Sequence, residues 1–413
     1  MRRRAHAPRE SLGEDHGRGP ALLVEALRRV PTSSILVVLV GALCVIGTVM
    51  VGSAGSVISL SLYGSPWYIL TRELIWMAVG VLAFAVACRM DYRRWRGLSL
   101  LLLLVTFALL LLVLVPGVGV ASGGSSRWIG FSQLRLQPSE LMKLALVVFG
   151  AHLVVRRTER GGGHRTTVGP LLLVAAAAGG LIVLQPDMGT AVVLACITLA
   201  LLFASGVAMK PVVKLLGALL LVAVIVGLAD PYRRARLFSF LNPGAHQAGS
   251  GYQVVQSLIG LGSGHLFGLG LGNGREKWGL LPNAHTDFIF SVVGEELGLV
   301  GALAVLFLLG ALAWFGLRAA ARAPDRFGAL VAVAVVAWIT SETVINVGAV
   351  TGLLPVTGIP LPFISFGGSS LVITMVGAGI LVNVARHERP PALRRPAPAA
   401  RRPASVAGAR RSR

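Results

Sequence analysis

Apolar runs near or above about 18 residues recur along the chain between short polar turns, and no other feature limits the possible folds as much. A helix of that length crosses a hydrocarbon core of about 30 Å, and inside hydrocarbon it satisfies its own backbone polar groups. Spans are placed at residues 34–52, 68–88, 97–116, 137–155, 170–184, 188–206, 213–229, 288–317, 328–352 and 366–385. The composition agrees, with 55% of residues hydrophobic and 13% charged and a mean hydropathy of +0.77, outside the range of an ordinary soluble domain. The expected fold is an all-α polytopic membrane protein of about ten transmembrane helices.

A net charge of +21 on one folded face would suggest nucleic acid, so its placement decides its meaning. With both termini cytoplasmic, the large majority of the 38 Lys and Arg residues fall on the cytoplasmic side, as the positive-inside rule requires. Topology and tails therefore account for the charge, and no nucleic-acid partner is expected. The same orientation puts a large extracytoplasmic loop, residues 230–287, between spans seven and eight. Residues 1–33 read as a basic cytoplasmic segment, mostly disordered, with 24–30 patterned for a short basic helix on the inner leaflet. Residues 386–413 read as a disordered cytoplasmic Arg/Pro/Ala tail, and 34–385 as the transmembrane domain. No cleavable signal peptide is evident, because the first apolar run is about as long as a span and lacks a small-residue cleavage motif. Cys44, Cys88 and Cys196 all lie in apolar spans without paired spacing, as packing residues do.

Function is sought where ionisable groups meet apolar runs, because such groups are costly in lipid. Asp287 stands where the long outer loop enters span eight, and it either caps a helix starting at Phe288 or serves chemistry. Glu295 and Glu296 follow about two turns below. Gln137-Pro138-Ser139-Glu140 opens span four, and Glu140 and Lys143 share a face as a structural ion pair or as the wall of a polar cavity. Arg127, beside Trp128, is an interface anchor or a ligand. Asp187, in a Pro-Asp break between apolar halves, caps span six or brings polar backbone near a ligand. Glu342 and Asn346 share a face of span nine. Residues 252–261 are patterned for a short helix half sunk in the outer leaflet, and the glycines after it read as permitting tight turns. The outer face has no Ser/His/Asp triad signature and no metal cluster of recognisable spacing, and neither G-x-G-x-x-G nor G-K-[ST] occurs in the loop, so no organic cofactor is expected. Carboxylates with Arg and Lys suit an anionic lipid-linked substrate: displacing a diphosphate needs one carboxylate to take the attacking hydroxyl's proton and cations to hold the departing charge.

The runs Arg127-Trp128-Ile129, Gln137 to Glu140 with Lys143, Gln185-Pro186-Asp187 with Gly189-Thr190, Tyr232-Arg233-Arg234 with Arg236, Gly249 to Gln253 with Gln256-Ser257, Leu281 to Glu296, and Gly352 to Ser370 resemble the SEDS family, the FtsW, RodA and SpoVE group of peptidoglycan polymerases. The resemblance spans residues 35–385. Leu241-Asn242-Pro243, Gly270 to Asn273 and Glu295 to Leu299 are closer to the FtsW branch. Glu342, where the family pattern has Gln, and Phe366, where Tyr is usual, depart from it. The resemblance implies an inverting glycosyltransferase that polymerises lipid II into β-1,4-linked glycan on the outer leaflet of the bacterial plasma membrane, at the division septum. It implies Asp287 as the catalytic residue. Arg127, Glu140, Lys143, Asp187, Arg233, Arg234, Arg236, Lys277, His285 and Glu296 are the expected substrate-binding residues. The implied partners are lipid II, the lipid-linked glycan strand, a class B penicillin-binding transpeptidase and other divisome membrane proteins, and a divalent cation, Mg or Mn, is compatible with the diphosphate chemistry. A lipid II flippase, a recruiting scaffold and a RodA-like elongation polymerase stay open as alternatives.

Overall fold

A computed structural model describes residues 30–122, 125–131, 134–161, 164–207, 217 and 251–388. The expectations for residues 1–29, for most of the seventh span, for Arg233, Arg234 and Arg236, and for residues 389–413 lie outside the described residues. The helices are α1 (Thr32–Tyr63), α2 (Tyr68–Arg89), α3 (Tyr92–Val113), α4 (Pro138–Glu159), α5 (His164–Leu184), α6 (Met188–Ala204), α7 (Tyr252–Ser263), α8 (Ile289–Ala321), α9 (Arg326–Val350) and α10 (Ser369–Arg386). Each expected span other than the seventh overlaps one of these helices, the first running on to Tyr63 and the fifth and sixth containing the shorter apolar stretches Val168–Leu184 and Met188–Ala204. Among the described residues, α1, α2, α3, α4, α8, α9 and α10 are each long and apolar enough to cross a membrane. The loop after α3 contains strands β1 (Val120–Ser122), β2 (Ser125–Phe131) and β3 (Leu134–Leu136), paired antiparallel with Val120 opposite Trp128 and Ile129 opposite Leu136.

Polar contacts gather the basic helix ends at one pole of the bundle. Arg93 Nε lies 3.2 Å from Asp325, Arg96 pairs with Glu159 at 2.7 Å, and Thr32 Oγ1 donates to Glu388 at 3.0 Å. Asn383 at the end of α10 accepts from Tyr92 N and donates to Cys88 O, closing the α2–α3 hinge. Asp187, Asp287 and Phe366 belong to the opposite ends of the same helices. This up-and-down arrangement follows from short connections, and it gives the polar residues of the other pole a common face. Small residues let the helices approach closely: a Cβ on Gly379 of α10 would stand 2.8 Å from Phe84 O of α2.

The eighth span departs most from a simple helix. Its 33 residues would extend about 50 Å if straight, well beyond a bilayer core. It breaks at Gly298, whose φ of 69° and ψ of −169° are non-helical. Residues 289–296, before the break, are buried throughout, whereas Leu299, Leu303, Phe307 and Trp314 beyond it are exposed as lipid-facing side chains are. The loop after α7 fills the break with its own main chain. Leu269 N donates to Glu295 O at 3.0 Å and Gly270 N to Glu296 O at 3.1 Å, while Leu299 N and Val300 N donate to His265 O and Leu266 O at 2.9 and 3.1 Å. Irregular backbone at this depth is tolerated only where protein satisfies it. The loop glycines therefore do more than turn the chain: a Cβ on Gly268 would lie 2.2 Å from Glu296 O, and one on Gly298 2.3 Å from Gly268 N.

Replacing Gly298 with Ala forces a side chain into left-handed backbone against a loop that cannot move away. It should destabilise the fold by more than about 3 kcal/mol. Gly310→Ala, on a helix surface with nothing within 4 Å, should leave thermal unfolding in detergent close to that of the parent.

Candidate functional site

Residues 281–288 descend into the bundle as a series of turns, and α8 starts at Ile289 with Phe288 as its N-cap and no side-chain cap. Asp287 is thus not the helix cap that its position before an apolar run suggested. Its main chain is pinned instead: Asn346 Nδ2 of α9 donates to Asp287 O at 2.7 Å and to Ile359 O at 2.8 Å. Its carboxylate lies over Gly358, where an added Cβ would sit 3.5 Å from Oδ2. Two residues earlier, His285 O accepts from Phe366 N at 3.0 Å, and the two rings lie 5.7 Å apart. Burial pushes the His285 imidazole down to about 4, so it is neutral at physiological pH. The Arg72 guanidinium of α2 packs 5.7 Å from the Phe366 ring. Sequence reasoning passed over Arg72, although an Arg one turn inside an apolar span is the signal that marks it.

Asp187 is the centre of a second cluster. It caps α6 through Thr190 N at 3.3 Å, and its Oδ2 also accepts from Thr190 Oγ1, Gln137 Nε2 and Ser139 Oγ at 2.9, 2.9 and 3.1 Å. Asp187 thus caps α6 and at the same time joins it to the start of α4. Arg127, projecting from β2, donates through Nε to Gln185 O at 3.0 Å and through Nη2 to Pro186 O, with its Nη1 3.9 Å from Asp187. Residues 357–359 connect this cluster to the first. On one side a Cβ at Gly189 would meet Ile359 at 2.7 Å and Thr357 at 3.1 Å, and on the other Gly358 faces Asp287.

Below them Lys143 forms a buried triad. Its Nζ lies 2.7 Å from Glu140 and hydrogen-bonds Glu342, with each side chain at most 4% exposed; the Trp338 ring covers it at 5.2 Å. Glu140 and Lys143 are therefore a covered ion pair in the wall between α4 and α9. Glu342, the departure from the family pattern, supplies its third member.

Lys277 and Glu296 require a correction. They were expected to contact substrate, but the Lys277 ammonium is inside the protein and donates to Glu296 at 2.9 Å, Ser53 Oγ at 3.1 Å and Gly272 O at 2.6 Å. With all three donors used and only 4% of the side chain exposed, it is a latch between the loop, α1 and α8, not a diphosphate ligand. Glu295 beside it accepts from Arg275 N at 2.6 Å and Glu276 N at 3.3 Å, anchoring the 3-10 turn Glu276–Trp278.

Glu276 itself is buried, with Oε2 unmatched, and burial, reinforced by Glu295, raises its carboxyl to about 7. A carboxyl raised in the folded state keeps its proton longer than in the unfolded chain, so stability declines as pH rises from about 4.5 to about 7. Glu276→Gln should flatten that decline. Melting followed from about pH 5 to pH 8 should show the variant overtaking the parent at the alkaline end.

Among known proteins, the family model described as "Cell cycle protein", covering FtsW, RodA and SpoVE, matches residues 34–390. Stage V sporulation protein E of Bacillus subtilis is 41% identical over 357 residues, 86% of this chain and 97% of that one. The Geobacter metallireducens protein named "Probable peptidoglycan glycosyltransferase FtsW" is 39% identical over 350 residues, 85% of this chain and 93% of that one. Among solved structures, a chain from work described as "Structural coordination of polymerization and crosslinking by a peptidoglycan synthase complex" is 31% identical with a TM-score of 0.69, covering 86% of this chain and 97% of that one. The rod shape determining protein RodA of Thermus thermophilus is 28% identical with a TM-score of 0.64, covering 86% and 97%.

Proposed function

This chain belongs to the FtsW, RodA and SpoVE family of cell cycle proteins, and from that membership we propose that Asp287 is the general base of a peptidoglycan glycosyltransferase. The chain is a multi-pass membrane enzyme of the FtsW type, acting in the wall synthesis of cell division. In our reading lipid II is the substrate, bound at the pole opposite the basic helix ends, which the positive-inside rule turns to the outside. Asp287 accepts the proton of the sugar 4-hydroxyl. That oxygen bonds to the anomeric carbon of the lipid-linked glycan, the bond from that carbon to the diphosphate breaks, and a β-1,4 linkage forms with inversion.

One observation carries this assignment: the Asp287 carboxyl is half-buried over Gly358, on a turn whose main chain is fixed by Asn346 at Asp287 O and by Phe366 at His285 O. Neutral His285, at the same turn, adds a polar group without a competing charge. For the departing diphosphate the reading retains Arg127 and the outer-loop Arg233, Arg234 and Arg236, with Arg72 bordering the site. Among the described residues no group of three or more His, Cys, Asp or Glu side chains gathers, and no step is routed through a metal. Similarity to a chain of a peptidoglycan synthase complex supports a class B penicillin-binding transpeptidase as partner, and the FtsW-type relatives support placement at the septum among other divisome proteins.

Asp287→Asn, purified with its partner and given lipid II in detergent, should lose polymerisation by about a hundredfold or more while retaining substrate binding. Near-parent polymer yield from this variant would remove Asp287 from the role. Movement of lipid II across sealed liposomes by the parent, with no polymer formed, would point to a transporter instead.

A further inference from the structure

We infer that Asn346 is a positioning residue for the reaction, holding the Asp287 carboxylate at its working distance by clamping the two loops that frame it; this rests on the assignment of Asp287 as base. Asn346 is 2% exposed and sits on α9, the helix packed against α8. Its two amide hydrogens go to two carbonyls from different loops, Asp287 O at 2.7 Å and Ile359 O at 2.8 Å. Two acceptors require the nitrogen on that side of the amide. Its Oδ1 is buried with no hydrogen-bond partner, an arrangement that costs stability and that an apolar side chain would avoid. The position is thus fitted to bridging and not to packing alone.

The bridge lies where it affects the carboxylate most. Ile359 follows Gly358, whose backbone runs beneath Asp287 Oδ2 in left-handed conformation, φ 77°. Phe366 N joins the same loop to His285 O at 3.0 Å, two residues before Asp287. The Phe366 bond fixes the start of the turn and Asn346 fixes the residue that carries the acid. Without the clamp, Asp287 O and Ile359 O lose their shared donor and the separation of the loops is no longer set. A base displaced by about 1 Å from the attacking hydroxyl loses on the order of a hundredfold in rate, while substrate contacts elsewhere are unchanged.

The test is steady-state polymerisation by the purified complex with Asn346→Ala and Asn346→Asp, each replacing the double donor. We expect kcat to fall about 10- to 100-fold with KM for lipid II within about twofold of the parent. Combining Asn346→Ala with Asp287→Glu, which moves the carboxylate by one methylene, should cost much less than the product of the two single effects, because both act on one distance. If Asn346→Ala is not recovered folded, Asn346→Ser keeps one donor in a smaller side chain and is measured the same way. Parent-like kcat in these variants, a rise in KM alone, or fully multiplicative losses with Asp287→Glu would overturn the inference. Those outcomes leave the Asp287 assignment standing, since that fails only if Asp287→Asn polymerises normally.

Discussion

A main chain that leaves the helix inside an apolar bundle must have its polar groups met by protein, and the break at Gly298 shows how this chain meets them. The carbonyls of Glu295 and Glu296 and the amides of Leu299 and Val300 all find partners in residues 265–270. The same two glutamates use their side chains to hold the next stretch: Glu295 receives the amides of residues 275 and 276, and Glu296 receives Lys277 and Ser53. Main chain and side chains of one short segment thereby anchor the loop that runs directly into the turn carrying Asp287. The broken span is the support on which the outer face is built.

Charge placement follows from the same scarcity of water. A buried ion is tolerated only when its partners are at hand, and apart from Glu140, which pairs with Lys143 on its own helix, the partners lie on other elements, so those pairs also join elements. Asp187 joins α6 to α4 through Ser139. One turn along α4, Lys143 joins it to Glu342 of α9. One turn along α9, Asn346 reaches Asp287 and Ile359. The two aspartates of the outer pole are thus the ends of one polar thread, every link of which is a hydrogen bond or a single helical turn.

The apolar runs made the spans legible in sequence, and their polar interruptions made Asp187, Asp287, Lys143 and Glu342 legible as residues of interest. Direction was not legible. Lys277 read as a diphosphate ligand because sequence gives its charge and its place in an outer loop, but not that Glu296 lies one hydrogen bond away. Asp287 read equally well as a cap, since a shift of one residue in the helix start decides between cap and free-standing turn. The break at Gly298 was hidden because glycine is common in membrane helices and only the approach of residues 266–268 sets this one apart. Arg72, one turn inside the second span at the end away from the basic pole, was marked by sequence only as a charge in an apolar run, and its place against Phe366 beside the His285 turn comes from the fold.

These placements also explain why the outer pole can be polar without being loose. At the other pole Tyr92, Arg93, Asp325, Asn383 and Glu388 tie the helix ends together, so the helices enter the outer half already fixed in relative position. Gly358 and Gly189 then put backbone where side chains would otherwise stand, which lets residues 357–359 run between α6 and the Asp287 turn in contact with both. The Asp287 carboxylate lies over the main chain of Gly358, where a Cβ would stand 3.5 Å from its Oδ2. Its position is set by the hydrogen bonds of the loops beneath it, and those bonds start from helices locked at the far end of the bundle.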